Sequence, residues 1–272
     1  MFICTIFNHQ IQNTTTVKKA FLFLSISLLL ASCSSEIKND LFTLNLKDSV
    51  KSTTSKTYTT IEKFGKLEPD HLMTMVSSSF LLSGNISTDI YLSYKWKSHE
   101  VSFGWKNTYN YDENNLLSDY NLYNENGKLI SKSISKHDNK GNEIEYNDYN
   151  PDGSLLAGAK NKYDSKGRLT ENTLSDKDGN ITYSTKTTYN SLNQEIKKTT
   201  VRHSTETSSS YTDTSTYQYN KNGDNSGSQS TNDYSNHNTY TYDENGNWTT
   251  RISTDNRSKK TITIRTIEYY QE

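Results

Sequence analysis

The chain has 272 residues, with 30 Lys and Arg against 31 Asp and Glu, so its formal net charge is −1. Leu, Ile, Val and Phe number 22, 17, 5 and 8, about 19% of the chain, which is too few for a large close-packed core. Near-neutral charge also excludes nucleic-acid binding, which depends on concentrated positive charge. Twenty Tyr, 12 Gly, only 2 Pro and a surplus of Ser, Thr and Asn favour extended β structure instead.

The first predicted element is apolar. Ala20 to Ala31 reads AFLFLSISLLLA and follows Lys18-Lys19. Such a run is too short for a membrane-spanning helix, which needs ~20 residues, but it fits the apolar region of a secretory signal with the two lysines ahead of it. The long stretch before Lys18 is unusual in such a signal, and translation from Val17 would give a compact one. The run ends in Leu30-Ala31-Ser32-Cys33. Small residues ahead of a Cys resemble the lipobox of bacterial lipoproteins. That resemblance implies cleavage before Cys33, thioether lipidation of Cys33 and acylation of the new amino terminus. Residues 1–32 are then the signal, and the protein is held at the cell envelope by its lipid, on the outer membrane and facing either the periplasm or the exterior. Its other Cys, Cys4, falls in the discarded part, so the mature chain has no free thiol for disulfides or Cys-ligated metal.

Residues 33–56 read as a polar tether, Ser/Thr-rich in their second half. Residues 57–105 form a β-rich segment continuous with the following sheet, with Ile90–Trp96 and Val101–Trp105 as its clearest strands. The run His71–Leu82 is apolar enough for either a helix or a strand.

A repeat begins at Tyr109. Tyr-Asp/Asn-x-x-Gly-x-Leu is clear at Tyr123, Tyr149 and Tyr163, and Tyr242 opens a version ending in Trp248; weaker copies start at Tyr111, His137, Ser175, Tyr189 and Tyr219. From 111 to 189 the starts are separated by 12 and 14 residues in strict alternation. Asp or Asn opens a type I turn by accepting a local backbone hydrogen bond, and Gly three residues later supplies the left-handed conformation that completes a bulged hairpin. Consecutive turns then lie at opposite ends of an antiparallel meander, with 26 residues forming one hairpin unit. The strands should alternate in facing. Ile181, Tyr183, Thr185, Thr187 and Tyr189 share one side by this rule, as do Trp248, Thr250 and Ile252. Two degenerate turns are expected near Ser204–Ser209 and Asp233–Asn238, and a last strand over Lys260–Tyr270. The fold class is therefore all-β: an antiparallel meander of tandem hairpins over residues 106–270, a single-layer or partly curled sheet.

These copies resemble the YD repeats of bacterial RHS and wall-associated proteins, best at Thr239-Tyr-Thr-Tyr-Asp243-Glu-Asn-Gly-Asn-Trp248. In large members such repeats build a β-shell around a toxin. The resemblance implies architecture over residues 106–252 and permits an immunity or accessory role beside such a toxin. The composition and the LLLASCSS stretch also resemble lipoproteins of Bacteroidota.

Motifs for catalysis or cofactors are missing: no His-Glu-x-x-His, Gly-x-Ser-x-Gly, phosphate loop or dinucleotide fingerprint occurs. No metal ligand set is spaced for binding, and the turn Asp residues are explained without calcium. The expectation is a non-enzyme without cofactor, tethered to the membrane through Cys33 and presenting its sheet to an unknown protein or glycan. Aromatic side chains are the available binding chemistry, with Trp96, Trp105 and Tyr183 as the platform candidates. The alternative use of most Tyr is a cross-strand ladder that supplies the missing core.

Overall fold

The computed structural model describes residues 39–95, 98, 100–203 and 209–271. Cys33, Trp96 and residues 204–208 of the turn expected near Ser204–Ser209 lie outside them. A single helical turn, α1 (Asp40–Thr43), precedes sixteen strands. They are β1 (Val50–Lys63), β2 (Lys66–Phe80), β3 (Ile86–Tyr94), β4 (Val101–Tyr111), β5 (Leu117–Asn124), β6 (Leu129–His137), β7 (Glu143–Tyr149) and β8 (Leu155–Tyr163). They continue as β9 (Leu169–Asp176), β10 (Ile181–Tyr189), β11 (Glu195–His203), β12 (Ser210–Tyr219), β13 (Asn225–Ser230), β14 (Ser235–Tyr242), β15 (Trp248–Asp255) and β16 (Lys260–Tyr269). Each pairs antiparallel with the next, and β16 pairs with β1, so the meander closes into a barrel.

Closure corrects the open or partly curled sheet expected from the sequence. The seam runs from Val50↔Tyr269 to Thr59↔Thr261, and Thr57 and Thr263 share a hydroxyl hydrogen bond of 3.0 Å across it. Along this seam the sheet has no free edge to pair with another chain. β1 opens at Val50, inside the stretch assigned to the polar tether; Thr-rich sequence suits a half-buried strand as well as a solvated spacer.

The corners explain the repeat. At Asp112 the backbone N–H donates to Leu116 O (2.8 Å), and Asn115 N–H donates to Asp112 O (3.0 Å). Asp112 Oδ1 accepts from Asn114 N and Leu116 N, both at 2.9 Å. The same set recurs at Asn124, Asp138, Asp164, Asp176, Asn190, Asn220 and Asp255, while Asp243 keeps the bond to the fifth residue. Its fourth residue is left-handed throughout, usually Gly, but Asn115, Asn193 and Ser258 fill the role at φ 63, 63 and 61. Ser258 hid the Asp255 corner from a search built on Gly. The second degenerate turn lies slightly earlier than expected, at Thr231–Tyr234, where Ser230 N–H donates to Tyr234 O.

All of these Asp and Asn corners except that at Asp255 carry a register shift where the new strand begins, as at Tyr163↔Leu169 and Tyr242↔Trp248. Hence Trp248 does not share a side with Thr250 and Ile252. Those two register against Ile264 and Ile262, whereas Trp248 packs beneath Arg265, whose guanidinium carbon lies 3.5 Å from the ring centroid.

One face of the sheet is inward. Register carries it through Tyr109, Tyr120, Ser133 and Asp148, and again through Tyr146, Ala159, Leu174, Tyr183, Arg202 and Tyr211. Ser133, Ala159, Thr185, Asn238, Thr263 and Arg265 on this face are buried. The outward face carries Lys136–Glu145 (3.0 Å) and the cluster of Lys162 and Lys186 around Glu171 (2.7 and 3.5 Å).

Candidate functional site

The two ends of the barrel differ. Corners after β2, β4, β6, β8, β10, β12 and β14 form one rim, and residues 39–49 lie across it. Asn39 caps α1 by accepting from Phe42 N (3.0 Å) and donates to Ser83 O (2.8 Å). Gly84 beneath it, at φ 83, leaves no room for a Cβ beside the Asn39 amide. Asp40 Oδ2 accepts from Ile86 N (2.7 Å) and Tyr111 OH (3.3 Å). Burial raises the Asp40 carboxyl above its ordinary pKa, against those two hydrogen bonds. Across the rim, Asn45 Nδ2 donates to Asp224 Oδ1 (2.9 Å), and Lys47 exchanges two 2.8 Å bonds with the Asn247 amide. Beneath this segment Leu46, Val50 and Phe80 form a small apolar core, joined by Leu41, Ile86, Ile267 and Tyr269.

The repeat's tyrosines serve this same rim. Tyr111, Tyr163, Tyr189 and Tyr219 each close a strand and donate their hydroxyl to the carbonyl of the preceding strand's first residue, at 2.7–2.8 Å. Tyr240 does so to Asn225 O (2.6 Å) from two residues earlier in β14. Tyr242 and Tyr269 bind the corner carboxylates of Asp224 and Asp243 instead (2.9 and 2.6 Å). Burial pushes the phenols of Tyr163 and Tyr219 up to about 12. The expected ladder of ring stacks is thus mainly a ladder of hydrogen bonds, with Tyr109–Tyr120 (5.7 Å) one of its ring contacts.

Of the candidate binding residues, Trp105 and Tyr183 sit toward the other rim. Trp105 stacks on Tyr91 at 4.1 Å and 11° and meets Phe103 edge-on at 5.0 Å. On the outward side of β3 to β5 a groove of about 680 Å³ is lined by Ile90, Leu92, Lys106, Thr108 and Tyr123. The groove exists partly because β4 has Gly104 there, where a Cβ would meet Leu92. Tyr183 lies on β10 beneath Arg202, 5.3 Å from ring to guanidinium. Five strands separate β4 from β10 along the sheet, so Trp105 and Tyr183 belong to two places and not to one platform. Sequence reasoning missed Tyr91, Phe103 and Arg202, whose importance comes only from cross-strand register.

Two further groups lie on the inward face. Arg251 Nε and Arg265 Nη2 are buried without a hydrogen-bond partner, and burial lowers Arg265 to about 10. Among the described residues, no group of three or more His, Cys, Asp or Glu side chains is placed to hold a metal ion.

The β1–β2 hairpin extends beyond the sheet at this rim. β1 pairs with β16 only as far as Thr59 and β2 meets β3 only from Thr74, yet the two strands pair with each other out to Lys63↔Lys66. Phe64 at the tip is fully exposed.

No family model and no curated protein matches the chain. Solved structures do. A porin-like protein from Bacteroides uniformis aligns over 82% of this chain and 99% of its own, with 12% identity and a TM-score of 0.55. A second porin-like protein, from Bacteroides vulgatus, aligns over 83% and 100% with 10% identity and a TM-score of 0.34. The Photorhabdus luminescens Tc holotoxin pore aligns over 66% of this chain and 14% of its own, with 10% identity and a TM-score of 0.30. Of these, the first shares the fold: the chain is an antiparallel meander barrel similar to the B. uniformis protein.

Proposed function

We propose that this protein is a lipid-anchored component of the bacterial cell envelope whose barrel stands in water and works without catalysis, as a body displayed for binding. One observation carries the reading: the outward face. A barrel immersed in a bilayer presents an apolar band ~25 Å tall between aromatic girdles, with a polar interior. Here tyrosines line the inside, and Lys136, Glu145, Lys162, Glu171 and Lys186 occupy outward strand positions. Attachment then falls to Cys33, in the LLLASCSS context of the sequence. The YD-like corners fit this role as architecture. The overhanging β1–β2 hairpin and the aromatic rim beside it are the parts offered to a protein partner.

Fractionation of cells making the full chain or Cys33→Ser tests this reading. The native protein stays with membranes through an alkaline wash and leaves with detergent, while the variant is released. Retention of Cys33→Ser after the wash would mean that the barrel itself is embedded.

A second reading rests on Trp105. Its stack with Tyr91 suits the apolar face of a sugar ring. A glycan array on which native protein binds and Trp105→Ala does not would favour it; binding untouched by Trp105→Ala removes it.

A further inference from the structure

We infer that the rim crossed by residues 39–49 is a bilayer-seating surface, which turns the opposite rim and its hairpin away from the membrane. The inference rests on the lipidation of Cys33 and extends it from attachment to orientation.

Two independent observations meet at this rim. The first is an exposed apolar patch. Phe42 and Leu44 are 49% and 46% exposed at α1, and Leu81 and Leu82 are 40% and 83% exposed at the β2–β3 corner. The two pairs are held together by Leu41 N–H donating to Gly84 O (3.1 Å) and by the Asn39–Ser83 bond (2.8 Å). Leu192, on the β10–β11 corner of the same rim, is 74% exposed. Exposed apolar side chains grouped like the α1 and β2–β3 pairs mark an interaction surface, and Leu192 adds an apolar point on the other side of the rim. Polar corners would have served the turns equally well, as Asp138–Asn142 does, so these leucines are not demanded by the hairpins.

The second observation is chain length. Six peptide steps separate Cys33 from Asn39, and an extended chain covers at most ~3.3–3.6 Å per residue, so an anchored Cys33 holds Asn39 within about 20 Å of the lipid surface. The hydrogen bonds of Asn39, Asp40, Asn45 and Lys47 then fix this rim to that point. The barrel cannot present its far rim to the same bilayer without releasing them. Lipid is therefore the occupant that the geometry selects for the patch. Side chains such as Phe and Leu enter ~5–10 Å into the headgroup boundary, and their contact adds to the anchor.

Lipidated full-length protein, isolated from membranes, tests this directly. Single cysteines at Leu82→Cys and, separately, Phe64→Cys carry an environment-sensitive fluorophore, because the mature chain otherwise holds only the modified Cys33. The proteins are placed in vesicles of phosphatidylcholine and phosphatidylethanolamine, which lack the net negative charge that the rim's corner carboxylates would repel, with and without spin-labelled lipid. The label at 82 is expected to shift to the blue and lose at least half its intensity to spin-labelled lipid, while the label at 64 stays in water. Phe42→Ser with Leu44→Ser reduces the quenching at 82 and leaves the protein tethered. Quenching at 64 in place of 82, or at neither, overturns the orientation while leaving lipidation intact. A blue shift at 82 without quenching assigns the patch to a second copy of the chain and also overturns it. A mass spectrum with unmodified Cys33 removes the anchor and this inference together.

Discussion

Asn247 gathers more of the capped rim than any apolar side chain there. Almost fully buried, its amide accepts from Lys47 N, donates to Lys47 O and Tyr269 OH, and its backbone N–H donates to Asp243. Removing it leaves buried partners unpaired, which costs more than the net value of the bonds themselves. Asn247→Ala is expected to lower unfolding free energy by about 2–4 kcal/mol in urea titrations. A loss below the error of the extrapolation would mean that the rim segment is not coupled to the barrel. From the sequence alone Asn247 was only the sixth residue of a repeat ending in Trp248; its partners are 200 and 22 residues away.

At the scale of the hairpin, one local device is used again and again. An Asx side chain accepts two backbone N–H groups, and the fourth residue takes a positive φ. Gly167 (φ 70) adopts that conformation freely, whereas Asn193 (φ 63) adopts it with some strain. Gly167→Ala is expected to destabilise by about 1–2 kcal/mol, and Asn193→Gly to stabilise by up to about 1 kcal/mol, both read from the midpoint of chemical unfolding. Equal effects of opposite positions would contradict the turn assignment. This device was legible in the sequence because it is made within five consecutive residues. What the same pattern did not reveal is the register shift at the Asp243 corner, which moved Trp248 away from Thr250 and Ile252 and onto Arg265.

At the scale of the whole barrel, the tyrosine interior gives a pH signature. Burial raises the Tyr146, Tyr163 and Tyr219 phenols from 10.0 to about 12, so the folded state keeps protons that the unfolded state releases. Below pH 10 both states are protonated and this contribution is fully present. As pH rises from 10 toward 12, only the unfolded chain ionises and stability falls. The denaturant midpoint is expected to be flat from neutrality to about pH 10 and to drop steeply above it, with phenolate absorbance appearing together with loss of β circular dichroism. Gradual ionisation with the barrel intact through pH 12 would show that these hydroxyls are open to water.

The sequence by itself determined the strands of the repeat, their antiparallel order and most of the corners, because alternation and turn chemistry are settled among near neighbours. It also holds the lipobox-like stretch around Cys33 on which the proposed lipid attachment rests. Tertiary structure alone decided closure, which rests on the pairing of β1 with β16 across more than 200 residues, as in the Thr57–Thr263 bond with its separation of 206. The same long-range pairing made Ser/Thr-rich β1 a strand and not a tether, laid residues 39–49 across one rim, and set Trp105 and Tyr183 on separate parts of the wall. No local pattern encodes such contacts, since the polar and β-branched residues of a seam have the same composition as those of any other strand.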